Sequence, residues 1–344
     1  MNPLAVGTAV SAVVTVVVLR LIERHVSVLG LLDVPNARSS HSQPTARGGG
    51  LAIVLGSCAG ASVALRGMGS DVPAQALACL AAAAIVAAVS FLDDLRSLRP
   101  AVRLVAQSSA ALVVLGWVVP VRVVELPLGG DVTIGVVGPL CMFTWIVAVT
   151  NIFNFMDGID GIAGGQAIVA GLAWGLTAAV IGSPILLAAG FAIAAASTMF
   201  LLRNWAPARI FMGDVGSAFL GFVFSVLPFL APSGSLGGRA WALAALMLWP
   251  FLVDTTITLV RRMTRGENVM RAHREHLYQR LVAQGISHAR VALLYAGMAA
   301  TTALAGVCWA LDWLPGPLAA APAALIAVAL PLEVQRRALP RAPR

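Results

Sequence analysis

Apolar stretches roughly twenty residues long recur along this chain, and each can cross a hydrocarbon core of ~30 Å as a helix. Eleven such spans are expected, at 4–22, 48–65, 74–92, 104–119, 136–153, 162–181, 184–202, 215–230, 240–260, 291–311 and 314–331. The reading is an all-α polytopic membrane protein. Charged residues make up only 11% of the 344, against roughly a quarter in soluble domains, and 59% are hydrophobic. One signal peptide does not account for such a pattern. No cleavage site follows the first span, so Met1 is expected to remain attached.

No separate soluble domain is left over, so 1–344 reads as one integral membrane domain, with 261–290 its longest polar interruption. At 120–135, alternating β-branched residues flank a Gly-Gly-Asp turn, which predicts a small β-hairpin. The net charge of +8 invites a nucleic-acid reading, but basic residues collect in the cytoplasmic loops of any membrane protein. With the amino terminus outside, twenty of the 23 arginines fall on inside segments, leaving Arg66, Arg122 and Arg239 outside. The amino terminus is therefore expected to be periplasmic, the carboxyl terminus cytoplasmic and the hairpin periplasmic. Cys58, Cys79, Cys141 and Cys308 lie in apolar spans without paired spacing and read as packing residues.

That orientation gathers carboxylates on one face: Asp93, Asp94, Asp157, Asp160 and Asp214 all fall at cytoplasmic ends of spans. Ionised side chains in membrane helices are costly, and they mark watery cavities or bound cations more often than chance. In SFLDDLRSLRPAVR (90–103), adjacent Asp93 and Asp94 require positive charge nearby, from a metal or from Arg96, Arg99 and Arg103. An anionic lipid headgroup is a fitting partner for Arg103. In NIFNFMDGIDGIAGG (151–165), two Asn and two Asp alternate with glycines. These are hard oxygen donors suited to Mg²⁺, on a backbone that a ligand can approach closely; an interhelical turn alone explains only the glycines. In FMGDVGSAFLGF (211–222), Asp214 and Ser217 stand where a helix begins, either as a cap or as a site for anions and their metal ions.

The polar stretch carries RAHREHLYQRL (271–281). His273 and His276 are i, i+3 neighbours on an expected helix, among Arg271, Arg274 and Arg280; lacking a Cys partner or HExxH spacing, they suit phosphate oxygens better than zinc. A solvated charged helix is the plainer alternative. In the first loop, Arg38, His41, Thr45 and Arg47 lead into glycines 48–50, donors and flexibility that fit phosphate recognition or close helix packing.

In this order, the DVPNARSSHSQPTARGGG loop, the DD pair, NxxNxxDGxDG, GDxGS and the histidine segment resemble the polyprenyl-phosphate N-acetylhexosamine-1-phosphate transferases. These include phospho-N-acetylmuramoyl-pentapeptide translocase and the initiating transferases of O-antigen and cell-wall polymers. The likeness runs from Asp33 to about Leu281. It implies that 1–344 is a single transferase domain with a cytoplasmic His/Arg loop at 261–290, in a bacterial inner membrane, with the active site on the cytoplasmic face. It implies Mg²⁺, or alternatively Mn²⁺, as cofactor. Asp214 and Asn154 would hold the metal, with Asp157 close by and Asp160 at the uridine. His273, Arg274 and His276 would meet the diphosphate, alongside Arg38, Thr45 and Arg47 in substrate binding. Asp93, Asp94 and Arg103 would lie near the lipid phosphate, with Asp93 either a general base or an orienter of the headgroup, and Asp254 at a lipid groove. The catalytic residues would be Asp93, Asp94, Asp157 and Asp214.

The implied partners are a UDP-sugar, undecaprenyl phosphate and membrane lipids, with no nucleic acid and with a homodimer allowed. Where the pentapeptide translocase has consecutive histidines and many N-acetylglucosamine enzymes a His-Ile-His-His-like motif, this chain reads His273-Arg274-Glu275-His276. That departure points to the O-antigen branch and 6-deoxy-N-acetylhexosamines, with a UDP-N-acetylglucosamine enzyme of another cell-wall polymer as the alternative. A transporter is the rival from another class, but no clear internal repeat is present and these aspartates are interfacial. A CDP-alcohol phosphotransferase pattern fails, because Asp160-Gly161 is followed by Ile162, Ala163, Gly164 and Gly165.

Overall fold

Hydrocarbon offers a peptide group no hydrogen-bond partner, so the apolar stretches must satisfy their own backbones, and they do so as helices. The computed structural model describes residues 2–33, 44–232, 234–268 and 273–338. Arg38, His41 and Arg271 lie outside these.

The chain begins with α1 (Pro3–Leu29), followed by β1 (Leu32–Asp33), β2 (Thr45–Ala46) and α2 (Gly50–Gly67). Next come α3 (Ala74–Arg96), α4 (Pro100–Leu115), β3 (Val123–Glu125) and β4 (Asp131–Thr133). The central helices are α5 (Gly138–Met156), α6 (Ile162–Ile181), α7 (Pro184–Asn204) and α8 (Asp214–Val226), the last prolonged by a 3₁₀ turn to Leu230. The remainder is α9 (Arg239–Met247), α10 (Trp249–Thr264), α11 (Leu277–Ala283), α12 (His288–Ala310) and α13 (Gly316–Ala338). Proline opens several of them, as at Pro3, Pro100 and Pro184, where its missing N–H costs nothing.

Each of the eleven expected stretches falls on helix, but they are not eleven equal spans. Among the described residues eight helices are long and apolar enough to cross a membrane alone, and the α9–α10 pair brings the number to nine. Helix α4 has 16 residues, a rise of ~24 Å, because it stops at Gly116 instead of continuing to 119. The expected single span at 240–260 is two helices bent by 78°. Pro250 lacks the N–H that a continuous helix would need there and its ring crowds the preceding turn.

Helix α8 lies against α2, α3 and α5, so its first turn is walled by the ends of three neighbours. Helix α1 packs on α2 and α7 through small residues: a Cβ on Gly56 would lie 2.0 Å from Thr15 Oγ1. Phe153, Phe224 and Phe251 join α5, α8 and α10 at centroid separations of 5.9 and 5.2 Å. At the opposite end of the bundle the expected hairpin forms, pairing Val123 with Thr133, Val124 with Val132 and Glu125 with Asp131. Gly129 and Gly130 turn it with φ of 91° and 94°, which side chains resist. Glu125 then ties the hairpin to α9, accepting from Gly238 N and from Arg239 Nε, each at 2.8 Å.

Candidate active site

Two remote segments are first joined through their backbones. Residues 45–46 pair with 32–33, and beyond them Phe211 N donates to Ala46 O, Gly49 N to Phe211 O and Gly50 N to Met212 O. The start of α2 thus abuts the start of α8, so closely that a Cβ on Gly50 would lie 2.2 Å from the Gly216 Cα. This seam brings Arg47 beside Asp94 and Asp214. The sequence does not announce it, because backbone pairing has no residue signature.

Asp214 is the hub. Arg103 Nη1 approaches its carboxylate at 3.1 Å, Arg47 at 3.9 Å, and Asn154 Nδ2 donates to it at 3.3 Å. Arg103 also pairs with Asp93 at 3.0 Å, and Arg47 with Asp94 at 2.8 Å. The adjacent aspartates divide their work. The Asp94 side chain is fully buried and accepts from Asp214 N and Val215 N, at 2.9 and 3.0 Å, capping α8. Asp93 accepts from Leu98 N and turns Arg103 toward Asp214. Asp93, Asp94, Arg47, Arg103, Asn154 and Asp214 are therefore one constellation, drawn from the ends of five helices.

Asp157 follows α5 in the turn below. Burial first, then the Asp214 and Asp94 charges, push its carboxyl up to about 8. Three carboxylates, Asp93, Asp94 and Asp214, face two guanidiniums, and Asp157 would add a fourth negative charge on ionising, an excess that a divalent cation would relieve. Among the described residues no three His, Cys, Asp or Glu side chains converge as a ready-made cage. Hard oxygen donors with an incomplete sphere suit Mg²⁺, which keeps waters and takes substrate phosphate oxygens, better than zinc. The donor set therefore fits Mg²⁺ on Asp214 and Asn154.

Asp160 lies further round the same turn, where it accepts from Ala208 N at 3.1 Å and faces His288 Nδ1 at 3.4 Å. Asn204 completes that corner, accepting from Gly161 N and donating to Ile210 O, each at 2.9 Å. Of the two asparagines in the 151–165 motif, Asn151 donates to Gln107 at 2.6 Å and joins α5 to α4. Thr45 lies on the seam, its backbone paired with Asp33.

The histidine segment sits beside this centre. Arg274 is exposed and His273 half-buried, while His276 is buried with its ring 5.0 Å from that of His273. Glu275 clamps Arg265 and Arg261, and these two guanidiniums hold its carboxyl below the ordinary range. Asp254 is not at an open groove. It is wholly buried, and five donors converge on it: Tyr295 Oη (2.6 Å), Leu277 N (2.8 Å), Tyr278 N (3.0 Å), His276 Nδ1 (3.1 Å) and Thr258 Oγ1 (3.2 Å). Sequence reading passed over Tyr278, Tyr295, Asn204 and His288; an Asp deep in an apolar helix was the one available signal for the first two.

Comparison with known proteins gives the chain its family. The model of "Glycosyl transferase family 4" matches residues 76–231, which include Asp93, Asp94, Asn154, Asp157, Asp160 and Asp214. A "Probable undecaprenyl-phosphate N-acetylglucosaminyl 1-phosphate transferase" of Bacillus subtilis is 29% identical over 83% of this chain and 79% of its own length. The "Decaprenyl-phosphate N-acetylglucosaminephosphotransferase" of Mycolicibacterium smegmatis is 30% identical over 77% and 72%. A "Phospho-N-acetylmuramoyl-pentapeptide-transferase" of Prochlorococcus marinus is 30% identical over 67% and 62%. The aspartates, their arginines and these likenesses converge on one conclusion: the chain belongs to glycosyl transferase family 4, the polyprenyl-phosphate N-acetylhexosamine-1-phosphate transferases, and is a multi-pass membrane enzyme.

Proposed function

We propose that the protein transfers an N-acetylhexosamine-1-phosphate from a UDP-sugar to undecaprenyl phosphate, at the cytoplasmic face of a bacterial inner membrane. A polyprenyl phosphate oxygen attacks the β-phosphorus of the donor. The bond from that phosphorus to the bridging oxygen breaks, releasing UMP and leaving polyprenyl-diphosphate-sugar. Both reactants are anions, so the obstacle is charge repulsion, and phosphoryl transfer is catalysed chiefly by positioning and electrostatics. The observation that carries this reading is the Asp214 hub, where Arg47 and Arg103 converge with Asn154.

Arg103 and Arg47 face the phosphates, and Asp93 and Asp94 hold those guanidiniums in place. A Mg²⁺ ion held by Asp214 and Asn154 would neutralise charge that develops on the departing UMP. The attacking phosphate, whose second pKa is near 6, is largely dianionic at neutral pH, so the chemistry needs no strong base. Asp93 accordingly orients Arg103. His273 and Arg274 lie where a diphosphate can be met, with Asp160 and His288 near the nucleoside.

The donor sugar has two readings. The 273–276 segment favours a 6-deoxy-N-acetylhexosamine, whereas the relatives' names favour N-acetylglucosamine. The test is UMP release by purified protein with undecaprenyl phosphate, Mg²⁺ and a panel of UDP-N-acetylhexosamines. Release that depends on lipid, on Mg²⁺ and on Asp214, lost in Asp214→Asn, supports the reaction, and the best donor chooses the sugar. Folded protein that binds UDP-sugars and releases no UMP with any of them refutes it.

A further inference from the structure

The turn that carries Asn154 and Asp157 is propped from the histidine segment by one side chain. Tyr278 is fully buried on the first turn of α11, and its hydroxyl donates to Phe155 O at 3.1 Å. A Cβ on Gly158 would lie 2.0 Å from that hydroxyl oxygen, the next ring atom being at 3.0 Å. The hydroxyl therefore fills the space beneath the turn and hydrogen-bonds its backbone from within. Tyr278 is itself immobilised. Its N–H donates to Asp254, its ring stacks on His276 with centroids 5.7 Å apart, and Tyr295 meets it edge-on at 6.4 Å.

We infer that Tyr278 is a positioning residue, a strut that sets the Asn154–Asp157 turn relative to the His273–His276 segment. It touches neither substrate nor reacting atoms. It makes two groups of substrate-facing side chains, from α5 and from the loop after α10, keep one mutual distance. Such spacing matters because a 1 Å misplacement of reacting groups can cost ~100-fold in rate. The inference rests on the proposed transfer reaction, in which both segments face the same donor.

The test uses three variants of the full chain in detergent, Tyr278→Phe, Gly158→Ala and the double variant, each measured for kcat, KM of the UDP-sugar and thermal midpoint. Tyr278→Phe should lower kcat roughly two- to tenfold, the scale of one lost hydrogen bond, with its midpoint lowered by no more than about 2–4 °C. Gly158→Ala should lose ~100-fold, because the new methyl drives the turn off the hydroxyl. Removing that hydroxyl opens the nearest contact from 2.0 to 3.0 Å, so the double variant should be more active than Gly158→Ala alone. Such a rescue is not expected of two independent structural defects, whose losses multiply. A double variant no more active than Gly158→Ala, or a Tyr278→Phe with unaltered kcat, overturns the inference. If the unsubstituted protein releases no UMP, the proposed reaction fails. The strut is then judged by the midpoints, which must still show Gly158→Ala restored by Tyr278→Phe.

Discussion

Replacing Asp254 by Asn changes one atom in a wholly buried site, and the structure dictates what must follow. Five donors converge on this carboxylate, which in its ionised form only accepts. His276 therefore carries its proton on Nδ1. An asparagine has one accepting oxygen and one donating amide, and either way round it fails. If the amide takes the Oδ1 place it faces Leu277 N, and in the Oδ2 place it faces Tyr278 N. Tyr295, Thr258 and His276 can each rotate or change tautomer to adapt; a backbone N–H cannot. One buried N–H is thus left without an acceptor, at about 1–3 kcal/mol. The remaining bonds lose their charge assistance, at about 1 kcal/mol more in total. The expected loss is ~3 kcal/mol, read as the shift in unfolding free energy in mixed micelles. Tyr295→Phe, which removes one donor and leaves the carboxylate intact, should lose ~1 kcal/mol by the same measurement. An Asp254→Asn protein within ~1 kcal/mol of the unsubstituted one would refute this account of the network.

Two further expectations concern other carboxylates. Asp93→Asn should lose UMP release at about pH 7 and fail to regain it at about pH 9, because its loss removes one of the two carboxylates that hold Arg103 and no proton acceptor; recovery at the higher pH would identify it as a base. Glu125, on the hairpin, has its carboxyl held below the ordinary 4.5 by Gly238 N–H and then by Arg239. A depressed folded value means its stabilisation is present above the ordinary carboxylate range and lost as the pH falls through the folded value. The thermal midpoint of Glu125→Gln should therefore lie below that of the unsubstituted protein near pH 6 and approach it near pH 3. A deficit equal at both would show the hairpin tie to be uncharged in effect.

What could be read before the structure was the chemistry of short motifs. Asp93 with Asp94, Asn154, and Asp214 lie on three separate stretches, yet each stood out because a carboxylate or amide beside apolar helix is costly and needs a reason. The turn at Gly129 and Gly130 was equally plain, since few residues accept that backbone. The spans were legible as apolar stretches and not as helices of given length. Hydropathy runs on through Gly116 and across Pro250, where the backbone stops or bends. Least legible were contacts between remote segments. Tyr278 lies more than a hundred residues from Phe155, and nothing in either neighbourhood names the other. Asp254 was visible as an anomaly, but two of its five partners are backbone N–H groups, which every residue except proline has, and Tyr295 comes from a different helix.

The seam between residues 44–50 and 210–212 has a bearing on how such a site persists through divergence. Its bonds run between peptide groups, so it makes few demands on which side chains stand at Ala46, Ile210 or Phe211. What aligns the two segments is carried by peptide groups, so a substitution at any of these three positions leaves Arg47 beside Asp94 and Asp214 wherever the backbone keeps its course.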